Sequence, residues 1–208
     1  VKTISLTNQD HVNGVVVVSH GMAEHMGRYE WLINKLNNDG FHVIGNDHRG
    51  HGKWIINGFK EGEFNTTNGW DLVTEDLTNL IHSSQKQFPN LKHYLLAHSM
   101  GSYIALSIIN KDLKLSGLVL SGSSFIPSIT LFIQRLLIKI IVLLNGREAK
   151  SNFIDTITMR SFNNKFKPTK TPNDWISTDI DNVEKYTNDP LCGFIASNGL
   201  WDDMSNSF

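Results

Sequence analysis

The chain has 208 residues, 40% hydrophobic and 19% charged, with 19 basic against 20 acidic side chains and a formal net charge of −1. That length suits one large domain with a substantial core, and the balanced charge sets up no field steering the chain to nucleic acid or an anionic membrane. The single cysteine, Cys192, excludes an intrachain disulfide and with it a small disulfide-stapled scaffold.

The sequence opens on Val1 without a charged segment and apolar run nearby, so no secretory signal is visible and a cytoplasmic location is expected. The run VVVVS at 15–19 reads as a buried strand ending at His20-Gly21. Helical spacing of Tyr29, Leu32, Ile33 and Leu36 predicts a helix over 28–38, stopped by Gly40. A second strand is predicted over 41–45, then a turn-rich loop to Gly52, a helix over 70–87, a third strand over 93–97, a helix over 100–110 and a fourth strand over 115–121. Strands alternating with helices in this way predict an α/β core with a parallel sheet and helices on its faces.

After Gly122 the alternation stops. Residues 123–208 show helical and irregular segments with Pro127, Pro168, Pro172 and Pro190 as breaks, so the expected organisation is a core over 1–122 and a mainly helical cap or lid over 123–208. With no flexible linker between them, the second part is expected to pack onto the first. The apolar run at 125–144 carries Gln134, Arg135 and Lys139, which suit a mostly buried helix, or one against lipid or an acyl chain, better than a membrane span.

The chemistry concentrates at Ala97-His98-Ser99-Met100-Gly101, a strand running through small-x-Ser-x-Gly into a helix, the setting of a nucleophile elbow. Small residues at Ala97 and Gly101 let strand and helix approach, and the helix start presents backbone N–H groups to a developing oxyanion. A second role open to Ser99 is simply N-cap of that helix. His20-Gly21-Met22 places a backbone turn at the same sheet edge, where the Met22 N–H joins that of Met100 as the second oxyanion donor. In Asn46-Asp47-His48-Arg49-Gly50-His51-Gly52-Lys53, Asp47 and Arg49 are expected to tie the loop down. The histidine pairs 20/25 and 48/51 lack the clustered carboxylates or helical spacing of a zinc site, so no metal is expected.

The ordered runs HGMAEHMGRY (20–29), NDHRGHGK (46–53) and AHSMGS (97–102) together resemble the monoacylglycerol lipase and lysophospholipase branch of the α/β-hydrolase fold. Ser177-Thr178-Asp179, Val183, Tyr186 and Asp189-Pro190-Leu191 resemble the same family's cap. Two positions depart from the pattern: Ala97 stands for the usual first glycine, and Trp54 for a serine. The resemblance implies a serine hydrolase of apolar or lipid-like esters, with an acyl-enzyme on Ser99, an oxyanion hole of Met22 and Met100 N–H groups, and no cofactor. It also implies peripheral membrane contact through the cap and a catalytic acid and histidine following the nucleophile. All nine histidines lie at or before His98, so neither acid nor base is assigned. The 208-residue chain alone is expected to be nearly inactive, lacking the family's last strands; the alternative is a non-catalytic fragment or binding protein on the same fold.

Overall fold

The computed structural model describes residues 2–206. Among them, five strands form one sheet: β1 (Lys2–Ser5), β2 (Gly14–Ser19), β3 (Phe41–Asn46), β4 (His93–His98) and β5 (Gly117–Ser121). The order is β1-β3-β2-β4-β5. The four expected strands are mutually parallel, with Val17 opposite Ile44 on one side and Leu95 on the other. The sheet is mixed rather than wholly parallel, because β1 runs antiparallel to β3 with Ile4 opposite Ile44. This unexpected strand is short, lies at the edge and is half exposed, so its sequence KTIS carries little apolar signal.

Six buried residues make β2 the centre of the molecule. Side chains alternate across a strand, so Val15 and Val17 enter one apolar cluster while Val16 and Val18 enter another. The first cluster is covered by α3 (Gly69–Gln87), through Leu77 and Ile81, and by α4 (Met100–Ile108), through Ile104 and Ile108. The second takes Ile33 from α1 (Glu30–Asn38) together with Met26 from the 3-10 turn before it. Burying each of these large side chains stabilises the fold by about 1.5–3 kcal/mol. A short helix, α2 (Lys53–Ile56), closes the glycine-rich loop.

Beyond β5 come α5 (Ser128–Asn145), α6 (Asn152–Ile157), α7 (Met159–Asn163), α8 (Ile180–Asn188) and α9 (Asn198–Ser205). Ile138, Ile154, Leu200 and Trp201 share the apolar cluster of Val17 and Leu95, so α5, α6 and α9 rest on the core. Arg147 bonds Asp202 and Asp203, both at 2.5 Å, and Arg135 donates to the Ser205 carbonyl over 2.6 Å, fastening α5 and the loop after it to α9. The helix α5 is not mostly buried: Ile138 alone on it is fully covered, while Ile129 is 68% and Leu143 85% exposed. It is the one helix among the described residues long and apolar enough to cross a membrane.

Candidate active site

Ser99 joins β4 to α4 with φ 49° and ψ −120°, a conformation that costs a non-glycine residue about 1–3 kcal/mol. Its backbone is pinned: the Ser99 N–H donates to the Ser121 carbonyl over 2.8 Å, and the Ser102 N–H and hydroxyl donate to the Ser99 carbonyl. Although Ser99 occupies the N-cap position, its side chain makes no cap hydrogen bond, so the hydroxyl does not serve the helix. Gly101 is required by contact. A Cβ there would collide with the Ser19 carbonyl and lie 2.6 Å from that of His20.

The turn after β2 passes directly beside this serine. A Cβ on Gly21 would stand 3.3 Å from Ser99 Cβ and 3.1 Å from the His98 ring. Glu24 shapes the turn, its Oε1 accepting the Gly21 N–H at 2.6 Å and the Tyr29 hydroxyl at 2.8 Å. Ala23 takes a left-handed φ of 53°. Among the described residues, the backbone N–H groups of Met22 and Met100 donate to no acceptor, and both residues line a cavity with Ser99. Glu24 was not singled out from the sequence; the signal available was its position three residues beyond Gly21.

His20 faces away from this site. Its Nε2 accepts the His48 N–H at 2.9 Å, which places the proton on Nδ1, and Nδ1–H donates to the Gly21 carbonyl at 2.8 Å. Burial, reinforced by His48 and His51, pushes its pKa well below the usual imidazole value. Burial likewise lowers His48 to about 3 and His51 to about 4, so all three rings are neutral. Asp47 accepts the Met26 N–H at 2.8 Å and the Lys53 N–H at 2.9 Å, and Arg49 grips Asp76 through two bonds. Trp54, the residue departing from the family pattern, packs under Arg49 and donates to the Asp47 carbonyl over 2.9 Å.

No described imidazole bonds the Ser99 hydroxyl; the adjacent His98 turns its Nδ1 to Ser121 Oγ, 3.3 Å away. The ring nitrogens, acid and sulfur of His25, Asp189 and Cys192 lie within 4.8 Å of one another. His25 Nδ1 accepts the Gly27 N–H and its Nε2 donates to Asp189, so neither nitrogen offers a lone pair to a cation. Burial and the Asp189 carboxylate push the Cys192 thiol up to about 12, keeping it protonated.

Two hollows meet at Ser99. One, of about 290 Å³, runs between α4 and the cap and is walled by Leu131, Ile138, Ile141, Ile154, Met159 and Trp201. The other, of about 730 Å³, opens towards Glu24, Arg28, Tyr29 and Tyr186, with Trp175 at its side. Apolar side chains dominate both linings, with the mutually paired Glu24 and Arg28 in the second, so the site can hold an apolar chain beside the serine.

Residues 10–207 match the family model described as serine aminopeptidase, S33. The rat monoglyceride lipase is 34% identical over 107 residues, 51% of this chain and 33% of that protein. A monoglyceride lipase homolog of monkeypox virus is 26% identical over 182 residues, 85% of this chain and 56% of that one. The solved carboxyl esterase of Bacillus coagulans, in complex with glycerol, superposes with a TM-score of 0.86 at 29% identity, covering 99% of this chain and 66% of that one. The matched stretch thus spans a third to about half of these curated relatives. Sequence and backbone likeness converge over nearly the same residues, and the chain belongs to the α/β-hydrolase family, on its monoglyceride lipase-like branch.

Proposed function

We propose that the chain carries the nucleophile and oxyanion hole of a serine ester hydrolase acting on monoesters of a long apolar acid and a small polar alcohol. The observation that carries this reading is Ser99, held at φ 49° with no capping duty, beside two uncommitted backbone donors where two largely apolar hollows meet. Ser99 Oγ attacks the ester carbonyl as its proton passes to a base, and Met22 and Met100 N–H groups hold the tetrahedral oxyanion. Collapse expels the alcohol, and water releases the acid from Ser99. The names of the relatives, monoglyceride lipase and carboxyl esterase, support an ester. An aminopeptidase is less favoured, because Glu24, the acid nearest the turn, is already engaged by Gly21, Tyr29 and Arg28.

The base is not among the nine histidines of this sequence, none of which bonds Ser99, and we assign it to polypeptide that pairs with the open edge of β5. Val119 and Leu120 are 55% and 38% exposed there, an uncovered strand edge of the kind that proteins ordinarily protect. The 208-residue chain alone then turns over on the order of 10⁶-fold slower than a form carrying the base. Residues 123–208 act as the cap, and the outward face of α5 rests on a lipid surface. The deciding experiment compares p-nitrophenyl butyrate turnover and fluorophosphonate labelling for the 208-residue chain, a longer native form and Ser99→Ala in each. Turnover of the short chain equal to the long one overturns the division of labour, and labelling that survives Ser99→Ala overturns the nucleophile.

A second reading, a non-catalytic binding protein, is favoured by the lack of an imidazole bonded to Ser99 among the described residues. Failure of the longer form to label or turn over supports it.

A further inference from the structure

The Ala23 carbonyl, in the turn beside Ser99, accepts two hydrogen bonds from the cap: one from the Tyr186 hydroxyl and one from the Gly193 N–H, both 3.0 Å. A third tie runs alongside, from His25 Nε2–H to Asp189 at 2.9 Å. Tyr186 is 4% exposed, and the Arg28 guanidinium lies over its ring at 4.7 Å. The first two reach across more than 160 residues of sequence to the carbonyl of one strained residue.

Ala23 is a Cβ-bearing residue at φ 53°, which costs about 1 kcal/mol or more and persists only where surroundings impose it. The near end of the turn is held by Glu24 on the Gly21 N–H, and the far end by these cap bonds on the Ala23 carbonyl. Met22 lies between the two holds. Releasing the far one removes what holds Ala23 at positive φ, and relaxation there re-orients the Met22–Ala23 peptide, one bond beyond the residue that carries the Met22 N–H.

We infer that Tyr186 is a positioning residue: through the Ala23 carbonyl it holds the Met22 N–H towards Ser99, so that seating of the cap and completion of the oxyanion hole are one equilibrium. The inference rests on the serine hydrolase reading above for its catalytic consequence, but its structural half stands apart. A cap lifted from the core, as entry of a bulky substrate requires, leaves the nucleophile with one donor; cap closure restores the second.

Tyr186→Phe removes only the hydroxyl, and the native protein is the right subject. Amide hydrogen exchange at Gly21 and Gly193, the bonded amides at the two ends of the turn, is expected to quicken about tenfold while β4 and α3 keep their wild-type rates. With p-nitrophenyl butyrate, kcat falls about tenfold and KM stays within twofold, a milder loss than the 10²–10³ of deleting a donor outright. Unchanged exchange at both Gly21 and Gly193 overturns the inference, and so does a rise in KM with kcat unchanged, which would make Tyr186 a substrate contact. If wild type and Ser99→Ala of the longer native form prove equally inactive, the hydrolase reading fails while the exchange result still decides whether Tyr186 holds the turn.

Discussion

The His48 amide donates to Nε2 of His20 over 2.9 Å, and this one bond fixes the proton on the other ring nitrogen. A protonated His20 would aim an N–H at an N–H. With His48 held at about 3 and His51 at about 4 against an ordinary 6.5, the folded state binds fewer protons than the unfolded chain between those values. Stability contributed by these rings is therefore complete above pH 6.5 and is lost as pH falls towards 4. Each such group contributes about 1.4 kcal/mol per pH unit inside that window. Urea midpoints should be flat above pH 7 and drop steeply from pH 6.5 to 5, and a flat profile there would show the cluster to be ionised or absent.

Asp47 is 2% exposed and satisfies two backbone donors from different segments, Met26 and Lys53. Asp47→Ala leaves both unmet and should cost about 2–5 kcal/mol, whereas Asp47→Asn keeps one acceptor oxygen and should cost roughly half as much. Denaturant unfolding of the pair checks the ratio.

At Gly101 the objection is steric. Gly101→Ala drives a methyl into the Ser19 and His20 carbonyls, so either α4 moves off β2 or the protein loses about 1–3 kcal/mol, and fluorophosphonate labelling at Ser99 should drop in both cases.

Ser99 itself is strained, and glycine adopts its dihedrals freely. Ser99→Gly should raise stability by about 1 kcal/mol while abolishing labelling, a gain visible as a higher Tm. A lower Tm would mean that the hydroxyl contributes to folding after all.

Ile129 and Leu143 are 68% and 85% exposed on α5 and do not line the cavity at Ser99. Replacing both with serine should weaken sedimentation with phosphatidylcholine vesicles several-fold while leaving turnover of a soluble ester intact.

What could be read from sequence follows physical range. The valines of β2 and the spacing of α3 are local signals, and both elements stand where they were expected. The elbow was legible because its strain permits only small neighbours at 97 and 101. β1 was not, since a half-exposed edge strand needs few apolar residues. Nor was the exposure of α5: Arg135, one of the polar residues in the apolar run, bonds the Ser205 carbonyl of α9, while Ile129 and Leu143 stand outside. The holds on the turn after β2 and on the glycine-rich loop depend on Glu24, Tyr186 and Asp47 meeting backbone atoms, and composition and periodicity do not register backbone partners.

The second hollow at Ser99 runs past Leu96, Val119 and Ser121, along the side of the sheet where β5 is the last strand. On the proposed reading, polypeptide that pairs with β5 would therefore wall this space as well as bring the base. The same segment would then set both the proton transfer at Ser99 and the room left for the departing group.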